Sequence, residues 1–332
     1  MADNRKAWNV TSDWWLGMPH TVEPKILDWI EKYPDQLELR HTTQYTGHKI
    51  YALTVTNRTV PTDEKKKLLT TVSHGHEPAG TAAIMNFINQ LLTSEHLNGK
   101  QTDLTVDTLL DETLLTFIPI ANPDGRSRAP VDCWDGSIYD ANEFFDYMKG
   151  CRADGSRFDW PEPRVWRQSE ENVERVGITY AQIDEDTYVE NFWAPEGTQY
   201  EALMEELGEA HYYNALLDLH QTYEQEEHYD TFVQYADADW MPKAQQEYSL
   251  AWGEATQADF EKIGARFSGV HTGGDERWII HQFSVKYGTP NLLFEVQNNH
   301  PNTPMDEQLL YAETIIRGSI EWLLGSTITI DP

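Results

Sequence analysis

A chain of 332 residues with 39% hydrophobic and 12% aromatic side chains carries enough apolar bulk to close a sizeable core, which excludes wholesale disorder. Its 25 basic against 55 acidic side chains leave a formal net charge of −30. A surface this acidic repels phosphate backbones and anionic lipid, so neither nucleic acid nor membrane is expected as a partner.

No apolar run approaches the roughly 18 residues that a bilayer-spanning helix needs. The first twenty residues, MADNRKAWNVTSDWWLGMPH, contain no apolar stretch of the kind a secretory leader requires, so no leader and a cytoplasmic location are expected. Neither Cys133 nor Cys151 belongs to a CxxC pair, which excludes a thiolate metal cage. Two reduced thiols are expected, with a disulfide clamping one irregular stretch as the alternative.

In chain order, Ile26, Trp29, Ile30 and Tyr33 repeat at helical spacing after Pro24 and predict a short first helix. Residues 36–45 and 49–57 alternate in strand fashion across Thr46-Gly47, which reads as a hairpin. Leu68–Ser73 is a short apolar strand ending at His74. Pro78 then opens a helix with Ile84, Phe87, Ile88 and Leu91 on one face. Leu114–Ile120 is another buried strand, closed by the turn Asn122-Pro123-Asp124-Gly125.

Residues 126–193 are rich in Asp, Glu, Trp and Arg and poor in periodicity, and read as an irregular insertion that builds a cleft rim. Regular pattern resumes with a helix over 198–211, a strand Ala215–Leu219 ending at His220, a helix within 240–264, a short strand Leu292–Val296, and a last helix from Thr303-Pro304 to about Leu324. Strands alternating with helices predict one α/β domain over 1–332, a three-layer α/β/α arrangement around a mixed, twisted sheet.

Three of these strands end in an ionisable residue: His74, His220 and Glu295. Open α/β sheets bind ligands at the carboxyl ends of their strands, and imidazoles with carboxylates converging there suit zinc. His74-Gly75-His76-Glu77 supplies an HxxE spacing, a pattern that chance often produces, but here a strand leads in and Pro78 starts a helix.

Taken in order, His74-Gly-His-Glu77, Asn122-Pro-Asp-Gly125, Asp154-Gly-Ser-Arg157, Leu217-Asp-Leu-His220 and Phe294-Glu295 resemble the motif series of the zinc carboxypeptidases of the M14, or carboxypeptidase A-like, family. The resemblance spans roughly residues 20–325. It implies one zinc ion per chain held by His74, Glu77 and His220, with His76 a weaker competitor as ligand. It implies Asp154 as the hydrogen-bond partner that fixes the tautomer of His74, and Glu295 as general base for a metal-activated water. A glutamate embedded in Leu-Leu-Phe-Glu-Val is costly to bury without a role.

For the substrate's terminal carboxylate the resemblance implies Arg157, with Ser156 standing where the family has Asn. For the oxyanion it leaves Arg128, with Arg126 behind it, because the position reached by counting back falls near Tyr139. The family's substrate-capping tyrosine aligns with Gly269, so Tyr287 or Tyr223 is expected to take its place. Glu276 falls near the specificity floor, where it would favour a basic side chain. The acidic run Glu224–Asp230 reads as a solvated face, with the wall of a cation-attracting cleft or a second metal site as alternatives.

The leading expectation is therefore a metallocarboxypeptidase acting on a peptide C-terminus. A zinc deacylase or amidase acting on a small N-acyl amino acid or cell-wall peptide is the alternative, favoured by Ser156 and the missing tyrosine. A metal-free binding protein on the same fold is the third reading.

Overall fold

The structure, a computed structural model, describes residues 14–158, 164–223 and 229–326. The expectation of no secretory leader falls mostly on residues outside this range, and Glu224–His228 of the acidic run lie outside it too.

In chain order the elements are α1 (Pro19–Lys32), β1 (Leu37–Thr43), β2 (Lys49–Val55), β3 (Lys66–Thr71), α2 (Pro78–Thr93), α3 (Val106–Glu112), β4 (Thr113–Ile118), α4 (Pro123–Ser127), α5 (Ala141–Lys149), β5 (Gly150–Arg152), β6 (Val165–Arg167), β7 (Val173–Val176), β8 (Ala181–Gln182), β9 (Thr187–Val189), α6 (Gln199–Ala210), β10 (Ala215–Thr222), β11 (Thr231–Tyr235), α7 (Lys243–Lys262), β12 (Phe267–Thr272), α8 (Ile279–Tyr287), β13 (Asn291–Gln297) and α9 (Met305–Gly325).

Eight strands form one mixed sheet in the order β1-β2-β4-β3-β10-β13-β11-β12. Its centre, β4-β3-β10-β13, is parallel throughout, and antiparallel pairs join it to β2 on one side and β11 on the other. Buried on both faces, the central strands read as near-continuous apolar runs. One face packs Leu68, Leu217 and Phe294 against Ile84 and Phe87 of α2, Trp252 of α7 and Ile316 of α9. The other packs Leu69, Leu216 and Leu293 against Leu203 and Leu207 of α6 and Ile280 and Phe283 of α8. This is the expected three-layer arrangement.

Differences from expectation have local causes. The first helix begins at Pro19, not after Pro24, because a proline suits the first helical position and Val22, Ile26 and Trp29 then bury one common face. Pro24 sits inside the helix. Strand β10 continues through His220 to Thr222, since pairing with β13 extends to that point. The insertion holds α5 and two small antiparallel sheets, β5-β7 and β6-β9-β8. Cys133 is buried and Cys151 half-buried, and both are free thiols.

Candidate metal centre

The parallel register sets the site. In β10 and β13 His220 stands directly opposite Glu295, so their side chains leave the same face of the sheet side by side. On the other flank of β10, β3 ends at Thr71 and the chain runs through Ser73 and His74 into α2, whose first residue is Pro78 and whose cap position is Glu77.

Gly75 is required in this turn, because a Cβ there would lie 2.4 Å from the Ile178 carbonyl oxygen. The turn is also clamped from beneath by Arg126, which is buried. It donates through Nε to the Gly75 carbonyl, through Nη2 to that of His74 (3.2 Å) and through Nη1 to that of Gly17 (2.7 Å). Burial pulls its pKa down to about 9, which leaves it charged at neutral pH.

Three donors converge. His74 Nδ1 lies 3.0 Å from Glu77 Oε1, and His220 Nδ1 lies 3.3 Å from Glu77 Oε2. One ligand atom from each of the three residues falls within 4.8 Å of the others. Burial pushes the Glu77 carboxyl up, but the His74, His220 and His76 rings outweigh it and hold the group well below the usual carboxylate range. Burial lowers His220, and Asp218 with Glu77 reverse that and hold it well above the usual imidazole value.

Glu77 Oε2 is buried and faces His220 Nδ1 at 3.3 Å without a well-formed hydrogen bond. An orphaned carboxylate oxygen between two inward-facing imidazole nitrogens is an arrangement that a divalent cation satisfies, and a His₂Glu donor set suits zinc with a coordination position left for water. His76 stacks on His74 with ring centroids 5.1 Å apart and brings its Nε2 to 3.2 Å from Glu77 Oε1. Its other nitrogen faces the Thr179 hydroxyl at 3.5 Å.

Around the donors lie groups that sequence reasoning missed. Asp218 Oδ2 is 2.6 Å from His220 Nε2. The period-2 alternation of a strand could have revealed it, since positions two apart share a face. Glu190, buried, places Oε1 3.9 Å from His74 Nε2 and pairs its other oxygen with Arg164 Nη1. The Arg164 guanidinium stacks over Trp193 at 3.9 Å. Phe192, also buried, sets its ring edge-on to both ligand imidazoles, with centroids 4.8 Å from each. No sequence signal marked Glu190, because only the folded insertion carries it back to His74.

The expected partner of His74, Asp154, is exposed at the tip of a turn and accepts from the Ser156 backbone N–H (2.9 Å) and hydroxyl (2.7 Å). Asp-Gly is a strong tight-turn signal, and Gly155 takes the left-handed conformation (φ +84°) that this turn needs. The carboxylate beside His74 Nε2 is Glu190 instead. Ser156 is exposed in the same turn, and Arg157 is tied to Asp146 (2.5 Å) and to the Asn142 carbonyl of α5 (3.2 Å).

Arg128 is engaged by Asp124 Oδ1 (3.0 Å) and by the carbonyls of Gly177 (3.2 Å) and Tyr180. It fastens the rim to α4. Glu276 is exposed just before α8, on an open groove also lined by Arg277, Lys286 and Trp240. Tyr287 packs on Gly208 of α6 and donates to the Glu205 carbonyl, so it belongs to the helix layer. Gly269 lies on the edge strand β12. Tyr139 packs edge-on against Tyr147 and at a tilt against Trp134. Tyr223 follows β10 closely and packs on Phe144 and Phe145, which puts it on the rim near His220.

The Asn122-Pro-Asp-Gly125 turn is a clamp as well. Asn122 Oδ1 accepts from the Gly125 N–H (2.9 Å) and its Nδ2 donates to the Thr179 carbonyl (3.1 Å). Asp124 Oδ2 accepts from the Gln182 N–H (2.8 Å). A Cβ at Gly125 would stand 2.1 Å from the Ile178 carbonyl oxygen and 2.4 Å from Asn122 Nδ2. Gly125→Ala should therefore destabilise the fold by about 2–4 kcal/mol, read as a drop in melting temperature. An unchanged melting temperature would show that the rim yields freely.

The chain matches the family model described as Peptidase_M14, zinc carboxypeptidase, over residues 25–297. A comparison with curated proteins found no match. Among solved structures, carboxypeptidase A from Helicoverpa armigera superposes with a TM-score of 0.59 at 12% identity, covering 95% of this chain and 75% of its own. A metallo-carboxypeptidase from Burkholderia cenocepacia gives 0.57 at 14%, covering 91% and 68%. Bovine thrombin-activatable fibrinolysis inhibitor, in complex with tick carboxypeptidase inhibitor, gives 0.54 at 14%, covering 94% and 99%. At such identities these structures share the fold.

Proposed function

We infer the activity from kinship and site together: this chain belongs to the M14 family of zinc carboxypeptidases, a metallocarboxypeptidase family of peptide-bond hydrolases. We propose that it removes a C-terminal residue by hydrolysis, with one zinc held by His74, Glu77 and His220. The observation that carries this reading is the His–Glu–His cluster at the strand ends, with Glu295 in register beside His220.

When bound, zinc supplies a Lewis acid for the scissile carbonyl and lowers the pKa of a water towards 7. Glu295 accepts the proton of the attacking water and hands it to the leaving amine. Its neighbour position in the sheet puts its carboxylate beside the ligand imidazole without any ligand role of its own. Asp218 holds the His220 imidazole with Nδ1 turned inward, and Glu190 places a carboxylate 3.9 Å from the outer nitrogen of His74. Arg164 reaches the cluster through Glu190, a contact that Arg128 and Arg157 lack, and we place the charge that steadies the oxyanion there.

One observation favours a second reading, a deacylase or amidase on a small acylated amino acid or cell-wall peptide. Arg157, the expected grip for a terminal carboxylate, is engaged with α5. Digestion of a mixed peptide library, read by mass spectrometry with a chelator-treated sample alongside, separates the two. Single-residue losses from C-termini that stop on chelation are expected. No cleavage by a zinc-loaded protein that instead releases amino acids from N-acyl substrates would overturn the peptidase reading.

A further inference from the structure

Beneath the metal-binding face, a file of buried hydroxyls leads from α6 to His220. Thr71 Oγ1 lies 2.8 Å from the Tyr200 hydroxyl, which lies 3.1 Å from Ser73 Oγ, and Ser73 donates to Asp218 Oδ2 at 2.8 Å. The same Oδ2 meets His220 Nε2 at 2.6 Å. All four residues of the file, Thr71, Tyr200, Ser73 and Asp218, are buried, and Asp218 Oδ1 has no partner.

The direction of the chain is determined. His220 turns Nδ1 towards Glu77, so Nε2 carries the proton given to Asp218. Ser73 spends its proton on the same carboxylate and so accepts from Tyr200, which in turn accepts from Thr71. The surroundings of Tyr200 are apolar, with Leu69, Leu203, Leu207 and Leu216 in its cluster. In that setting a carboxylate half without partners is expensive, and Phe and Ala in place of Tyr200 and Ser73 would keep the packing but take a donor from the buried Asp218.

We propose that Ser73 and Tyr200 are positioning residues of the metal centre. They hold Asp218 aligned on His220. Ser73, whose backbone leads directly into His74, ties the orientation of one histidine ligand to the strand that delivers the other. This rests on the zinc reading of the site.

The test is zinc affinity, measured by competition with a chromophoric chelator, together with the visible spectrum of the cobalt-loaded protein. Ser73→Ala should bind zinc about 10- to 100-fold more weakly and shift the cobalt bands. Tyr200→Phe, which keeps the shape and so the fold, should weaken zinc about fivefold. Thr54→Val breaks another buried hydroxyl pair, Thr54 with Thr116 at 2.8 Å, on β2 and β4, which carry no ligand. It should lower the melting temperature and leave zinc affinity and spectrum unchanged. If Ser73→Ala and Tyr200→Phe behave like Thr54→Val, the inference is overturned and the zinc reading stands. If the native chain takes up no zinc, the zinc reading falls and this inference with it.

Discussion

Glu295→Gln is expected to lower kcat/KM on a peptide substrate by about 10³- to 10⁴-fold, roughly 4–5 kcal/mol of barrier, while zinc content stays at one per chain. Glutamine keeps the shape and the hydrogen-bonding capacity of the side chain but cannot carry the proton from water to the leaving amine. The position supports a role in chemistry and not in metal binding. Glu295 sits opposite His220 in the ladder, between β10 and β11, and is half-buried at the strand end. Kinetics on the best library substrate and metal analysis of the same sample make the measurement. Activity within tenfold of the native chain would remove Glu295 from the mechanism.

Glu77→Ala should abolish both activity and the metal. Glu77 is the only carboxylate of the three-residue cluster, and its two oxygens face the Nδ1 atoms of His74 and His220. Without it two imidazoles remain. Zinc affinity should fall by more than about a hundredfold, since each ligand supplies a share of a total binding free energy on the order of 10 kcal/mol. The loss is visible in thermal unfolding. A ligand that binds only the folded state stabilises it by about 4 kcal/mol at a thousandfold excess over Kd, so added zinc should raise the melting temperature of the metal-stripped native chain by several degrees. The same addition should leave Glu77→Ala unmoved. An equal rise in both would place the metal elsewhere.

Arg164 carries a smaller expectation. Arg164→Ala should slow turnover and also loosen Glu190, which lies beside His74, so zinc affinity should fall with it. Lost activity with unchanged affinity would show that its charge acts on substrate alone.

Local signals in the chain determined much of this protein. Apolar runs ending in His74, His220 and Glu295 mark three central strands and the ends that carry the site, because side-chain alternation and turn residues are properties of short segments. Pro78 and Thr198 mark helix starts for the same reason. The motif order carried the family, and with it the three-layer fold.

Only tertiary structure decided which groups reach those strand ends from elsewhere. Asp154-Gly-Ser-Arg157 looks like a substrate and orienting motif in one dimension, yet Asp-Gly closes an exposed turn there. Glu190, 36 residues further on, comes to His74 because the small sheets of the insertion fold back over the turn at Gly75. Arg126 and Arg128, both candidates for the oxyanion from sequence, separate into a clamp under the metal-binding turn and a clamp on the rim. The file from Tyr200 to Asp218 joins residues on α6, the β3 end and β10. The physical reason is common to all four. A contact between side chains far apart in sequence depends on three-dimensional closure, and no periodicity of the chain encodes which loop achieves it.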